Sequence, residues 1–165
     1  MMRGIFASAL IGGALTLGLA APAAADRTDD IATSSIIDQL RCAADPNALP
    51  AIAYLAKRSL IDLRKNIGGD SISCFALRRP YELDGLPVTG ICGSSEDGLV
   101  HALWPDVFYR GPGTSPGVLL SVATTAPLTT VSRWASTHSI PAYTIGESAW
   151  FEGAIEVECG SLARP

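Results

Sequence analysis

The feature that most constrains this chain is the stretch from Asp70 to Gly93, in which Cys74 and Cys92 flank an Asp84-Gly85 pair. Ile72 to Leu77 and Leu86 to Cys92 are short apolar runs rich in β-forming residues. Asp-Gly between two such runs predicts a hairpin, because glycine accepts the positive φ that a twisted two-residue turn demands. Pro80 and Pro87 cannot donate ladder hydrogen bonds, so the hairpin tip is expected to be irregular or to lie at a sheet edge.

Register decides what the cysteines can do. If Asp84 and Gly85 are the only loop residues, Leu83 faces Leu86, Cys92 faces Leu77 and Cys74 would face Ser95. Side chains alternate between faces along a strand, so Cys74 and Cys92 would point to opposite sides. A one-residue bulge or an odd loop reverses that conclusion, and the prolines make a bulge credible. The regular register favours a bridge from Cys42 to the sheet over one that closes the hairpin on itself, and the pairing stays open.

Residues 1–25, MMRGIFASALIGGALTLGLAAPAAA, have the layout of a cleaved secretory signal peptide. Arg3 supplies the charged start, Ile5 to Ala21 the apolar segment, and Ala23-Ala24-Ala25 the small residues of a cleavage site. A membrane anchor fits less well, because the segment is short for a span and is interrupted by glycines. No later stretch approaches the ~20 apolar residues of a transmembrane helix. The expected product is residues 26–165, a single disulfide-stabilised domain that is periplasmic or secreted. The chain carries 12 basic and 16 acidic side chains, a formal charge of −4. This mild acidity argues against a nucleic-acid partner, which calls for a basic stripe. Four cysteines follow the leader: Cys42, Cys74, Cys92 and Cys159. An even count in an exported chain points to two disulfides. There is no C-x-x-C or H-x-x-x-H spacing, so no metal site and no cofactor are expected.

After a loose charged leader from Asp26 to Ala32, Ser35 and Asp38 resemble a capping box. Ile36, Ile37, Leu40 and Ala44 recur at helical spacing, which predicts a helix over Ser35 to Ala44. Leu49, Ile52, Ala53, Ala56, Leu60 and Leu63 predict a second helix that Gly68-Gly69 ends. The basic residues Lys57, Arg58, Arg64 and Lys65 lie off its apolar stripe and read best as a solvated face. Beyond the hairpin, Val118 to Thr124 reads as a central strand. Pro127 opens a third helix, with Leu128, Val131, Trp134, Ala135 and His138 in step. Tyr143 to Ser148 reads as a connector, and Phe151 to Cys159 as a strand whose glutamates line a wet face. The fold class is therefore α+β: an N-terminal helical pair packed on a small, mainly antiparallel four-stranded sheet, with one further helix before the last strand, in the order α-α-β-β-β-α-β.

Three constellations could carry chemistry. Trp104, Asp106, Tyr109, Arg110 and Gly113 form an aromatic, charged and glycine-rich segment suited to binding, with His101 nearby. His101 and His138 are the two histidines, but no G-x-S-x-G accompanies them, and His138 reads as a helix-terminal residue. Glu152, Glu156 and Glu158 could form a carboxylate pair for glycoside hydrolysis or calcium, though alternating glutamates also suit a plain solvated strand. The reading that results is an exported binding or interaction module recognising a protein or envelope component, with no catalytic site evident. The alternatives are a small cell-wall or carbohydrate hydrolase, using His101 with Asp106 or the glutamates, and a structural envelope protein.

Overall fold

Between the paired residues Ala76–Gly90 and Tyr81–Val88, one hairpin strand carries Leu77, Arg78, Arg79 and Pro80 where its partner carries only Thr89. This offset is odd, so it reverses which face the cysteines share, and Cys74 lies directly opposite Cys92. The two form a disulfide with a Cα–Cα distance of 4.1 Å. The regular-register expectation, which disfavoured a bridge within the hairpin, is corrected by this irregularity at Pro80. The other half of that expectation holds, since Cys42 bridges to Cys159 in the last strand. At the tip, Asp84 and Gly85 both have positive φ, 47° and 81°, as the two-residue turn requires.

The computed structural model describes residues 27–69, 71–108 and 117–161, and the expected leader and cleavage site lie outside them. The elements are α1 (Arg27–Leu40), α2 (Leu49–Lys57), β1 (Ser73–Leu83), β2 (Leu86–Ser94), α3 (Gly98–Leu103), β3 (Leu119–Thr124), α4 (Leu128–Thr137), a 3-10 turn (Ala142–Thr144), β4 (Ile145–Glu147) and β5 (Ile155–Gly160). The strands form one antiparallel sheet in the order β1-β2-β3-β5-β4. It has five strands rather than four, because β4 forms where a connector was expected. The wholly buried β3 is central, as its apolar run implied.

Phe75, Ile91, Val122, Val157 and Ile145 pair in one row across all five strands. This row faces a core completed by Ile36, Ile37 and Leu40 of α1, Ile52 and Leu55 of α2, and Val131, Trp134 and Ala135 of α4. On the opposite face, Cys74, Cys92, Ser121 and Glu158 form the adjacent row. A smaller apolar cluster covers it, made of the disulfide, Leu119, Ile72, Trp150 and Phe151. The Phe151 ring sits where a Cβ on Gly90 would be, so only glycine lets this cover close onto β2.

The helix bounds differ from the periodicity for physical reasons. The helix α1 begins at Arg27 rather than Ser35 because its first turn has tertiary partners. Asp29 accepts from the Tyr54 hydroxyl and pairs with Arg58 at 3.0 Å, and Thr33 Oγ1 lies 2.7 Å from Tyr81 Oη. It ends at Leu40 rather than Ala44, and Cys42 takes a positive φ of 56°. The helix α2 stops at Lys57. Ser59 adopts φ 56°, its N–H donates to Ala56 O, and the Leu60 N–H donates to Leu55 O, the paired bonds of a Schellman turn. The following segment covers the edge of β1: Arg78 N–H donates to Leu60 O, Ile67 N–H to Cys74 O, and Cys74 N–H to Asn66 Oδ1. Edge strands left unpaired are templates for association, and this one is blocked along part of its length. Hydrogen bonds from Arg64 hold the Asp62 carboxyl down at about 2. The basic residues of the expected second helix thus divide between ion pairs, Arg58 with Asp29 and Arg64 with Asp62, and exposed Lys57 and Lys65.

Trp134 ties α4 to the hairpin tip. Its indole N–H reaches Leu83 O at 3.0 Å and Asp84 O at 3.1 Å from a site only 8% exposed. Trp134→Phe keeps an aromatic ring and removes these bonds, for an expected loss of about 1 kcal/mol. Trp134→Ala should lose ~3–5 kcal/mol. Urea unfolding of the oxidised protein measures both, and an unchanged stability for Trp134→Phe would show that the indole N–H contributes nothing beyond ring volume.

Candidate functional site

The segment singled out from sequence is built on α3, a short helix that the irregular pattern around His101 did not reveal. Asp97 caps it, with Oδ1 accepting the Leu99 N–H at 2.8 Å, and Ser95 Oγ accepts the Asp97 N–H. The His101 ring closes the segment on itself. Its Nδ1 lies 3.0 Å from Phe108 O and its Nε2 lies 2.6 Å from Ser95 O. Beyond the helix, Val107 and Phe108 N–H groups donate to Trp104 O, and both side chains are buried. Phe108 therefore anchors the segment, together with Val107.

The exposed side chains of the segment include Leu99, Leu103 and Trp104, exposed by 64%, 66% and 43%, and Asp106. Of the binding residues expected from sequence, Trp104 and Asp106 lie on this surface. Tyr109, Arg110 and Gly113 lie outside the described residues. Among the described residues His101 uses its ring nitrogens on the two carbonyls and not on Asp106, so the pair is not assembled as a catalytic dyad. His138 caps the C-terminus of α4, with Nε2 3.4 Å from Asp84 Oδ2 and its ring 4.9 Å from Trp134.

The glutamates are arranged differently from the expected wet row. Glu152 is exposed on the turn before β5, outside the strand. Glu156 is buried, 6% exposed, because the Ser148–Gly153 turn folds back over this face of the sheet. Its carboxylate accepts from the Ser121 hydroxyl and, at 2.6 Å, from the Ser148 hydroxyl. Ser148 Oγ in turn accepts the N–H groups of Trp150 and Phe151. A carboxylate inside the sheet thus fixes the turn that carries two aromatic residues. Glu158 lies two residues on, on the same face, about 6–7 Å away by strand rise. It is half-buried beside a cleft of about 240 Å³ bordered by Tyr143, Glu147, Trp150 and Glu156. Burial, then the charge of Glu156, pushes its carboxyl up from the ordinary glutamate value.

Sequence reasoning found the glutamates but not Ser121, Ser148, Tyr143 or Trp150. The usable signal was Trp150-Phe151 placed before a glycine, an aromatic pair in a turn too short to hide its side chains except by folding back onto the sheet. Among the described residues, no three His, Cys, Asp or Glu side chains are placed to hold a metal ion, and no helix is long and apolar enough to cross a membrane. Neither a family model, nor a curated protein, nor a solved structure matches the chain.

The raised Glu158 carboxyl sets the sign of a pH effect. A carboxyl whose folded pKa exceeds its unfolded one adds stability below the unfolded value, and that stability is lost as pH rises through the folded value. Glu158→Gln should therefore raise Tm at pH 7, and the gain should shrink towards zero below pH ~4, under the ordinary glutamate pKa. Calorimetry from pH 3.5 to 8 checks this, and a lowered Tm at pH 7 would show that the charge is stabilised in the fold.

Proposed function

We propose that the protein is an exported interaction module that recognises a protein partner through the outer surface of α3. The observation that carries this reading is the exposure of Leu99, Leu103 and Trp104 within six consecutive residues. Single exposed apolar residues are ordinary, whereas grouped ones mark contact surfaces. Trp is also a frequent energetic anchor at interfaces. The surface is preorganised, since the Asp97 cap, the His101 ring and the buried Val107 and Phe108 fix the segment from both ends. Rigid presentation lowers the entropy lost on binding. Two disulfides and the signal-like leader support a periplasmic or secreted location.

The test uses a photo-crosslinking amino acid at position 103 in the exported, oxidised protein, with a second probe at exposed Thr129 on α4 as control. A discrete protein adduct at 103, missing at 129, is expected. Leu99→Ala with Trp104→Ala should weaken binding of that partner about thirtyfold, equivalent to ~2 kcal/mol. Identical adducts from both probes, or an adduct indifferent to the double substitution, would refute the assignment of this surface.

A further inference from the structure

We propose that the cleft between β4 and the Ser148–Gly153 turn binds a small organic ammonium ion, with Tyr143 and Trp150 as aromatic walls and Glu158 as the counter-charge.

Size is the first restriction. At about 240 Å³ the cleft is smaller than the ~300–1,000 Å³ typical of sites for drug-sized ligands, so it suits a compact molecule. Its chemistry is the second. Tyr143, Trp150, Glu147, Glu156 and Glu158 border it, and among the described residues no Lys, Arg or His does. Aromatic rings attract ammonium groups through their quadrupoles, most strongly where water is partly excluded. The two walls differ in burial: Tyr143 is exposed, whereas Trp150 packs on the cluster around the Cys74–Cys92 disulfide and lies against Gly69.

The division of labour between the glutamates selects the charge of the ligand. Both oxygens of Glu156 are occupied by serine hydroxyls, so it serves as a positioning residue that holds the turn. The Glu158 carboxylate has neither hydrogen bond nor ion pair among the described residues, and it lies half-buried at the cleft. A neutral sugar would leave its charge uncompensated, while an ammonium ion would neutralise it. The burial that pushes the Glu158 carboxyl up is the same energy that a bound cation relieves. Metal ions fit poorly: Glu147 also borders the cleft, but among the described residues no three His, Cys, Asp or Glu side chains are placed to hold a metal ion.

This site is distinct from the α3 surface. Among the described residues, none from Ser95 to Phe108 borders the cleft.

The experiment is an NMR titration of the oxidised protein with choline and, separately, with 3,3-dimethylbutan-1-ol, which has the same shape without the charge. The Trp150 indole signal is assigned with Trp150→Phe. Choline should shift that signal saturably, and the neutral isostere should bind at least tenfold more weakly. Glu158→Gln should weaken choline at least tenfold with no fall in Tm, and Trp104→Ala should leave choline binding unchanged. Equal binding of the isostere would overturn the proposal by showing a merely apolar cleft. So would undiminished choline binding by Glu158→Gln, or shifts of the Trp150 signal by calcium or methyl glucoside with choline silent.

Discussion

The odd offset in β1, opposite Thr89, is the constraint on which the rest of the sheet depends. Side-chain direction has a period of two, so an even offset would turn the N-terminal half of β1 over. Phe75 would then leave the helix-covered core, and Cys74 would enter it without a partner. As built, Phe75 joins the five-strand apolar row, and Cys74 meets Cys92 on the other face. The disulfide locks that parity, since no neighbouring register would place the two sulfurs together. The second bridge works at a different scale. It ties the end of α1 to β5 across 117 residues, and closing so long a loop restricts the unfolded chain by about 4–5 kcal/mol in the entropic account.

This same offset explains what was legible in the chain and what was not. The hairpin, its Asp84-Gly85 turn, the central β3 and the amphipathic α4 all follow from local pattern, and each is present. Pro80 announced an irregularity in β1, but not its size, and the pairing of Cys74 turns on whether that size is odd or even. The first turns of α1 were illegible for another reason. Asp29 suits a first helical turn, but what fixes that turn is its hold on Tyr54 of α2 and on Arg58 just beyond it, residues distant in sequence. Tertiary partners of this kind override weak local propensity. The helix α3 is too short to show a period, and β4 is three residues whose identity comes only from pairing with β5.

The candidate sites were legible to different degrees. Trp104 and Asp106 were identified by type, and they are exposed. The role of His101 was not legible from residue type: a histidine near an aspartate left a hydrolase open as an alternative, while in the fold the ring nitrogens lie against two main-chain carbonyls and fix a loop. The glutamates show the opposite error. Alternation predicts a solvated row on an outer strand face, and it does so wherever nothing covers that face. Here the Ser148–Gly153 turn covers it, with Phe151 seated over Gly90.

Covering that face buries a carboxylate, and the fold answers with hydroxyl donors instead of a positive charge. An uncompensated buried polar group is costly, and a charged one more so. Glu156 meets this requirement through Ser121 and Ser148, and the same hydroxyl of Ser148 gathers the N–H groups that shape the turn. Its charge is hydrogen-bonded but not neutralised, and the neighbouring Glu158 feels it as repulsion added to its own burial. Glu156 is what holds the aromatic turn in place. On the proposal above, Glu158 is then the group left to meet a cation in the cleft.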